Sequence, residues 1–250
     1  MSVDKETGPV NTFSQGEIMA DTVIARKLAV GATIIEGVNI GTRNIGPILV
    51  NVLLWIATIW IPYINVGTTI GLTAGIVSKA SRGETIPMTE ILDPKYRKYM
   101  GEFFLAWGLI TVGVGIGVIF GIVPGIVIAL AWSLAILLVV DKGKNPTEAM
   151  TLSNNCTYGY KARMFGIYAV VFLLFSTVQS ILFGVSAKAD NDVDVFITSF
   201  IEILIIVFAV FVFIGLQASI YKQLTEGIQE EAVVPPLTPA GSAGMIEYEE

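Results

Sequence analysis

The sequence predicts an all-α, polytopic integral membrane protein, with about six transmembrane helices in three hairpins and amphipathic helices at the cytoplasmic interface. Three observations carry this. Hydrophobic residues fill 54% of the 250 positions and charged residues only 14%, whereas soluble domains are about a quarter charged. The apolar residues gather into long runs, and the mean hydropathy is +0.72. Lysine and arginine fall almost entirely on one set of loops.

Taken in order, residues 1–16, "MSVDKETGPVNTFSQG", form a polar N-terminal segment with no secretory signal. Residues 17–44, "EIMADTVIARKLAVGATIIEGVNIGTRN", read as an amphipathic interfacial helix. The membrane domain covers 45–225, with apolar runs at 45–61, 66–77, 103–120, 124–140, 164–183 and 196–218. A span needs about 17–25 residues. The second run reaches that length only by taking in Asn65 and Ser78. The outer turns "IPYINVG" and "GIVPG" carry proline and glycine where a helix reverses. Pro124 suits a first helical turn, where its missing N–H costs nothing. Residues 226–250 read as a disordered acidic tail containing proline and glycine. Its "AVVPPLTP" core offers a partner an extended segment, or simply keeps the end soluble.

With six spans, one side receives Lys5, Arg26, Lys27, Arg43, Lys79, Arg82, Lys95, Arg97, Lys98, Lys142, Lys144, Lys161, Arg163 and Lys222. The other receives only Lys188, beside Asp190, Asp192 and Asp194. The positive-inside rule then places both termini in the cytoplasm. Merging the first two runs into one span would invert the later loops and destroy this asymmetry.

An internal repeat of approximately 60 residues runs through the domain. "SRGETIPMTEIL" (81–92) parallels "DKGKNPTEAMTL" (141–152), and Pro62 parallels Pro124. The unit is an interfacial helix followed by a membrane hairpin, and such units need stacked neighbours to bury their faces. Tyr96, Arg97, Lys98, Tyr158, Tyr160, Lys161 and Arg163 follow the two loops. They suit contact with lipid or a partner at headgroup depth, with plain anchoring as the simpler role.

The stretch "IVPGIVIALAWSLAILLVVDKGKNPTEAMTLS" resembles the membrane domain of some bacterial glycerophosphodiester phosphodiesterases and of related uncharacterised bacterial membrane proteins. Pro124, Gly125, Ile126, Asp141, Gly143, Glu148, Ala149 and Ser153 carry the resemblance. It runs from about Gly31 to Gly227. The resemblance implies a multi-pass protein of the bacterial inner membrane. It does not carry catalysis across, since that activity belongs to a separate barrel domain that has no counterpart here.

Gly113, Gly117, Gly121 and Gly125 recur every fourth residue, as do Gly67, Gly71 and Gly75. A dinucleotide loop would need glycine at position 118, which is valine, and a strand before it. Small residues at this spacing instead form a glycine zipper, a groove that lets another backbone approach. The second and third spans would meet through it. The same groove serves contact between copies, but within six helices internal packing is favoured.

Glu202 is the only carboxylate well inside a predicted span, hence a candidate proton or ion site. Gln179 and Ser180 are its candidate hydrogen-bonding neighbours, and a shallower helix start would let it reach the interface. Asn51, Thr73, Thr111, Ser133 and Gln217 are scattered polar span residues. Cys156 stands alone, so no internal disulfide forms. Without histidine, paired buried carboxylates or an activated nucleophile, the chain reads as non-enzymatic. No catalytic residue, metal ligand or cofactor is expected. The expected role is an accessory or scaffold protein engaging membrane lipids, other membrane proteins or itself, with no nucleic acid. The alternative is a small-solute or lipid transporter or channel using Glu202.

Overall fold

A computed structural model describes residues 28–187 and 191–226, and every regular element among them is helical. In chain order these are α1 (Val30–Arg43), α2 (Ile45–Thr58), α3 (Pro62–Ile70), a π-helical turn (Gly71–Gly75) and α4 (Ile76–Ser81). Two 3₁₀ turns follow, Glu90–Leu92 and Pro94–Tyr99, then α5 (Met100–Phe120) and α6 (Ile122–Ala131). The rest are α7 (Ala135–Lys142), α8 (Pro146–Thr157), α9 (Lys161–Ser186) and α10 (Asp192–Thr225). The polar segment 1–16, the first part of the predicted interfacial helix and the tail beyond residue 226 lie outside the described residues.

Among the described residues, four stretches are long and apolar enough to cross a membrane: Pro94–Phe120, Ile122–Lys142, Lys161–Ser186 and Val193–Thr225. A fifth candidate is α1 plus α2, bent by 73° at their junction. The second apolar run lies within α3, the π turn and α4. Two pairs of neighbouring helices pack on each other, α2 on α3 and α9 on α10. Trp55 donates to Thr69 (2.9 Å) between α2 and α3. Tyr168 donates to Gln217 (3.2 Å) between α9 and α10, and further along the Phe175 and Phe208 rings are 6.3 Å apart. Large apolar side chains stand exposed on the helices, among them Phe104, Trp107, Phe120, Phe172 and Phe196, and Trp60 does so in the turn between α2 and α3. So much contiguous apolar surface marks contact with lipid or with another protein.

α5 and α6 are joined by one residue. Gly121 sits at φ +149°, a backbone state that side chains rarely adopt. The two helices then close on each other through glycine: a Cβ on Gly117 would lie 2.9 Å from the Gly125 Cα, and the Trp132 ring fills the space over Gly113. The series 113–125 therefore closes its own hairpin. It does not meet the glycines of the second span, as the sequence had suggested. Those face the loop that follows: Arg97 covers Gly67, Ile91 and Tyr96 cover Gly71, and the Tyr96 ring lies against Gly75.

The fourth apolar run is not one straight helix. It breaks between α6 and α7, which leaves backbone groups without their usual partners. Ser153 of α8 supplies them: its Oγ donates to the Ala131 carbonyl (2.7 Å) and accepts from the Leu134 N–H (3.2 Å). Ser153 is completely buried, so water cannot substitute. Replacing Ser153 with alanine should destabilise the protein by about 1–3 kcal/mol, the cost of stranding buried polar groups. Thermal melting in detergent checks it.

The structure bears on two expectations about interfacial helices. The segment predicted at 17–44 is helical only from Val30 within the described residues. It does not lie alone at an interface, because its face of Thr33, Gly37 and Gly41 is buried against α10, where a Cβ on Gly37 would lie 2.8 Å from the Leu216 Cα. The repeat is also only partly kept. Gly83 and Gly143 correspond and both hold positive φ, +69° and +62°. After them, however, one copy forms a loop with short 3₁₀ turns, and the other forms the regular helix α8.

Candidate functional site

Three buried or half-buried carboxylates gather the charged groups of distant segments. Glu90, only 3% exposed at its side chain, accepts from Lys79 (2.7 Å), Lys95 (2.9 Å) and the Tyr96 hydroxyl. Asn51 of α2 holds this loop in place: its amide donates to the Pro87 carbonyl (2.9 Å), and its oxygen accepts from the Ile91 N–H (3.1 Å). Burial alone would raise the Glu90 pKa, but the bonds from Lys79, Tyr96 and Lys95 outweigh it and hold the group below its ordinary value.

Asp141, at the end of α7, accepts from Ser78 and Arg82 at the end of α4 and from the Tyr221 hydroxyl of α10 (2.7 Å). Arg82 also pairs with Glu84 at 2.5 Å. Its guanidinium is held protonated by that carboxylate first, against the opposing effect of burial, and then by Asp141. Glu36 of α1 accepts from Ser219 (2.9 Å), Lys222 (2.9 Å) and Gln223 (2.8 Å) of α10. Each carboxylate thus has three donors, supplied by at least one segment other than its own. Such saturation fixes geometry and leaves little capacity for proton transfer.

The sequence-predicted positions fare differently. Tyr96 is a correction: it is 3% exposed and bonded to Glu90, so it does not face headgroups. The glycine spacing on the preceding helix is what admits its ring. Arg97 is half-buried over Gly67, and Lys98 is exposed. Tyr158 is exposed, while Tyr160 is buried with the Arg163 guanidinium 5.7 Å from its ring. Lys161 donates to Asn154 (2.8 Å). Arg163 is exposed.

Glu202 is half-buried, ten residues into α10, or about 15 Å along its axis. The expected bonds from α9 do not form. Ser180 donates to the Ser176 carbonyl, and Gln179 Oε1 is buried without a partner among the described residues. No hydrogen bond or ion pair reaches Glu202 among those residues. Likewise, no group of three side chains suited to hold a metal occurs among them.

The sequence reading missed Glu90, Asp141 and Glu36 as anchors. Glu90 and Asp141 lie close to lysine and arginine in the sequence, whereas Glu36 lies in the largely apolar α1. For the first two, a carboxylate among several lysines was the available signal. Compared with protein-family models, curated proteins and solved structures, the chain matches none.

Proposed function

We propose that the chain is a non-enzymatic accessory or scaffold protein of the bacterial inner membrane that engages lipid or another membrane protein. The observation that supports this most is the combination of saturated carboxylates with broad exposed apolar faces on α5, α9 and α10. The charges tie the helices to one another, and the apolar faces remain open to whatever surrounds them. We take the full arrangement to be six spans in three hairpins, with both termini cytoplasmic. The fourteen-to-one partition of lysine and arginine between the two loop sets supports it. The resemblance around Asp141 and Ser153 supports a bacterial inner-membrane setting.

Purification of the full chain in mild detergent, with identification of what accompanies it, tests the proposal. A stoichiometric protein or a retained lipid supports it; a clean monomer with neither overturns it.

A transport reading rests on Glu202, a half-buried carboxylate without a partner among the described residues. Glu202→Gln is expected to leave assembly and co-purification unchanged. If the chain carries protons or cations, the same substitution changes the pH dependence of flux into proteoliposomes. Unchanged flux there would sink the proton-coupled version.

A further inference from the structure

One cleft bordered by two of the carboxylate anchors combines charge and apolar surface. It lies between α1 and the end of α4, encloses about 580 Å³, and is lined by Ile35, Glu36, Ile40, Arg43, Arg82 and Lys222 among others. That size falls within the range of about 300–1,000 Å³ typical of ligand clefts. A hollow of about 270 Å³ beside it shares Ile40 and Arg43.

The lining is unevenly charged, with one carboxylate, Glu36, beside Arg43, Arg82 and Lys222. Lys222 is matched by Glu36 at 2.9 Å, and Arg82 by Glu84 and Asp141. Arg43 is different. It ends α1, stands exposed, and makes no hydrogen bond or ion pair among the described residues. The cleft therefore presents one uncompensated guanidinium, flanked by two cations whose carboxylates are already engaged. Guanidinium geometry favours the paired oxygens of a phosphate. The remaining wall is mostly apolar, with Asn39 and Ser81 as its polar members: Ile35 is 65% exposed, and Ile40 and Ala80 lie nearby.

We propose that this cleft binds the headgroup of an anionic glycerophospholipid, with its phosphodiester on Arg43 and its acyl chains leaving along Ile35. A single phosphate charge matches the one lining cation that has no carboxylate of its own. A zwitterionic headgroup would bring its own cation against Arg82 and Lys222. A free phosphate would leave the apolar wall unused. Basic clefts between membrane helices on the cytoplasmic side are a recurrent setting for such headgroups. This rests on the lipid-engaging part of the proposed function.

The test uses the full chain in mild detergent, with native mass spectrometry of retained phosphatidylglycerol against phosphatidylcholine. Wild type is expected to prefer phosphatidylglycerol by about tenfold, the scale of one charge-assisted hydrogen-bonded contact. Arg43→Gln should abolish the preference, and Arg43→Lys should keep part of it. Glu84→Gln, which frees Arg82 toward the cleft, should strengthen it. Wild type without preference, or Arg43→Gln with the preference intact, overturns the site. Displacement of the lipid by millimolar inorganic phosphate overturns its assignment to lipid. A lost preference with a protein partner still co-purifying removes this site alone, whereas the scaffold reading falls only if neither lipid nor protein accompanies the chain.

Discussion

Gly215→Ala is expected to destabilise the protein by about 3 kcal/mol or more, at the upper end of overpacking costs. The added methyl would run into the Gly37 carbonyl oxygen and come within 2.6 Å of the Gly41 amide nitrogen. Both obstacles are backbone, so no rotamer change relieves them. α1 and α10 would have to separate, and that would strain the bonds from Ser219, Lys222 and Gln223 to Glu36. Gly41→Ala should behave similarly, since its methyl would meet the Phe211 carbonyl. Gly31→Ala is the contrasting case. Nothing lies within 4 Å of a Cβ there, and alanine gains up to about 1 kcal/mol in helix propensity. Size-exclusion-monitored thermal melting of the three variants checks the pattern. Equal melting of Gly215→Ala and wild type would mean that the α1–α10 contact is not made.

Glu90→Gln is expected to cost about 3 kcal/mol, the low end of the range for breaking a buried ion pair. The low end applies because Lys95 is 44% exposed and can turn to water, whereas Lys79 is only 21% exposed. Lys95→Ala should cost less than about 1 kcal/mol, as for other solvent-accessible pairs. The pH dependence gives a second check. The folded-state pKa of Glu90 lies below its ordinary value of 4.5. Its stabilising effect is therefore complete above about pH 4.5 and is lost as pH falls through the folded-state value. Asp93, held low by the Lys95 N–H and side chain, adds to the loss in the same direction. Wild type should hold a stability plateau near neutrality and fall away below about pH 4.5. Glu90→Gln should start lower and fall less steeply. Parallel curves for the two proteins would exclude Glu90 as the source.

The long apolar runs were legible from composition, because burial in lipid imposes a length and a hydropathy that no loop imitates. The helices α5, α9 and α10 lie where those runs predicted, with ends extended into flanking polar residues. The break between α6 and α7 was not legible. Trp132, Ser133 and Leu134 carry no proline or glycine, and the partner that makes the break tolerable, Ser153, comes a whole helix later. The glycine spacing in 113–125 was visible, but its partner was not. A groove states that something approaches closely without stating what does. For Gly37 and Gly41 even the groove went unread, because the sequence gives α1 a half-polar face and its amphipathic pattern suggested a surface. The face that packs on α10 is built from Thr33, Gly37 and Gly41, which register on no hydropathy scale. The anchors were the least legible part. Asp141 looks like any loop-edge aspartate until Ser78, Arg82 and Tyr221 converge on it.

The contact between α1 and α10 also has a cost in time. Glu36 and Lys222 are separated by 186 residues. At typical translation speeds that interval takes roughly ten to forty seconds. Throughout it, the emerging chain carries an unsatisfied carboxylate and a bare glycine face with no native cover. Nascent chains halted before residue 211 would keep that face permanently open, which makes them natural targets for membrane chaperones and quality-control proteases. α10 is thus the lock on α1, and that contact becomes durable only once α10 has been made.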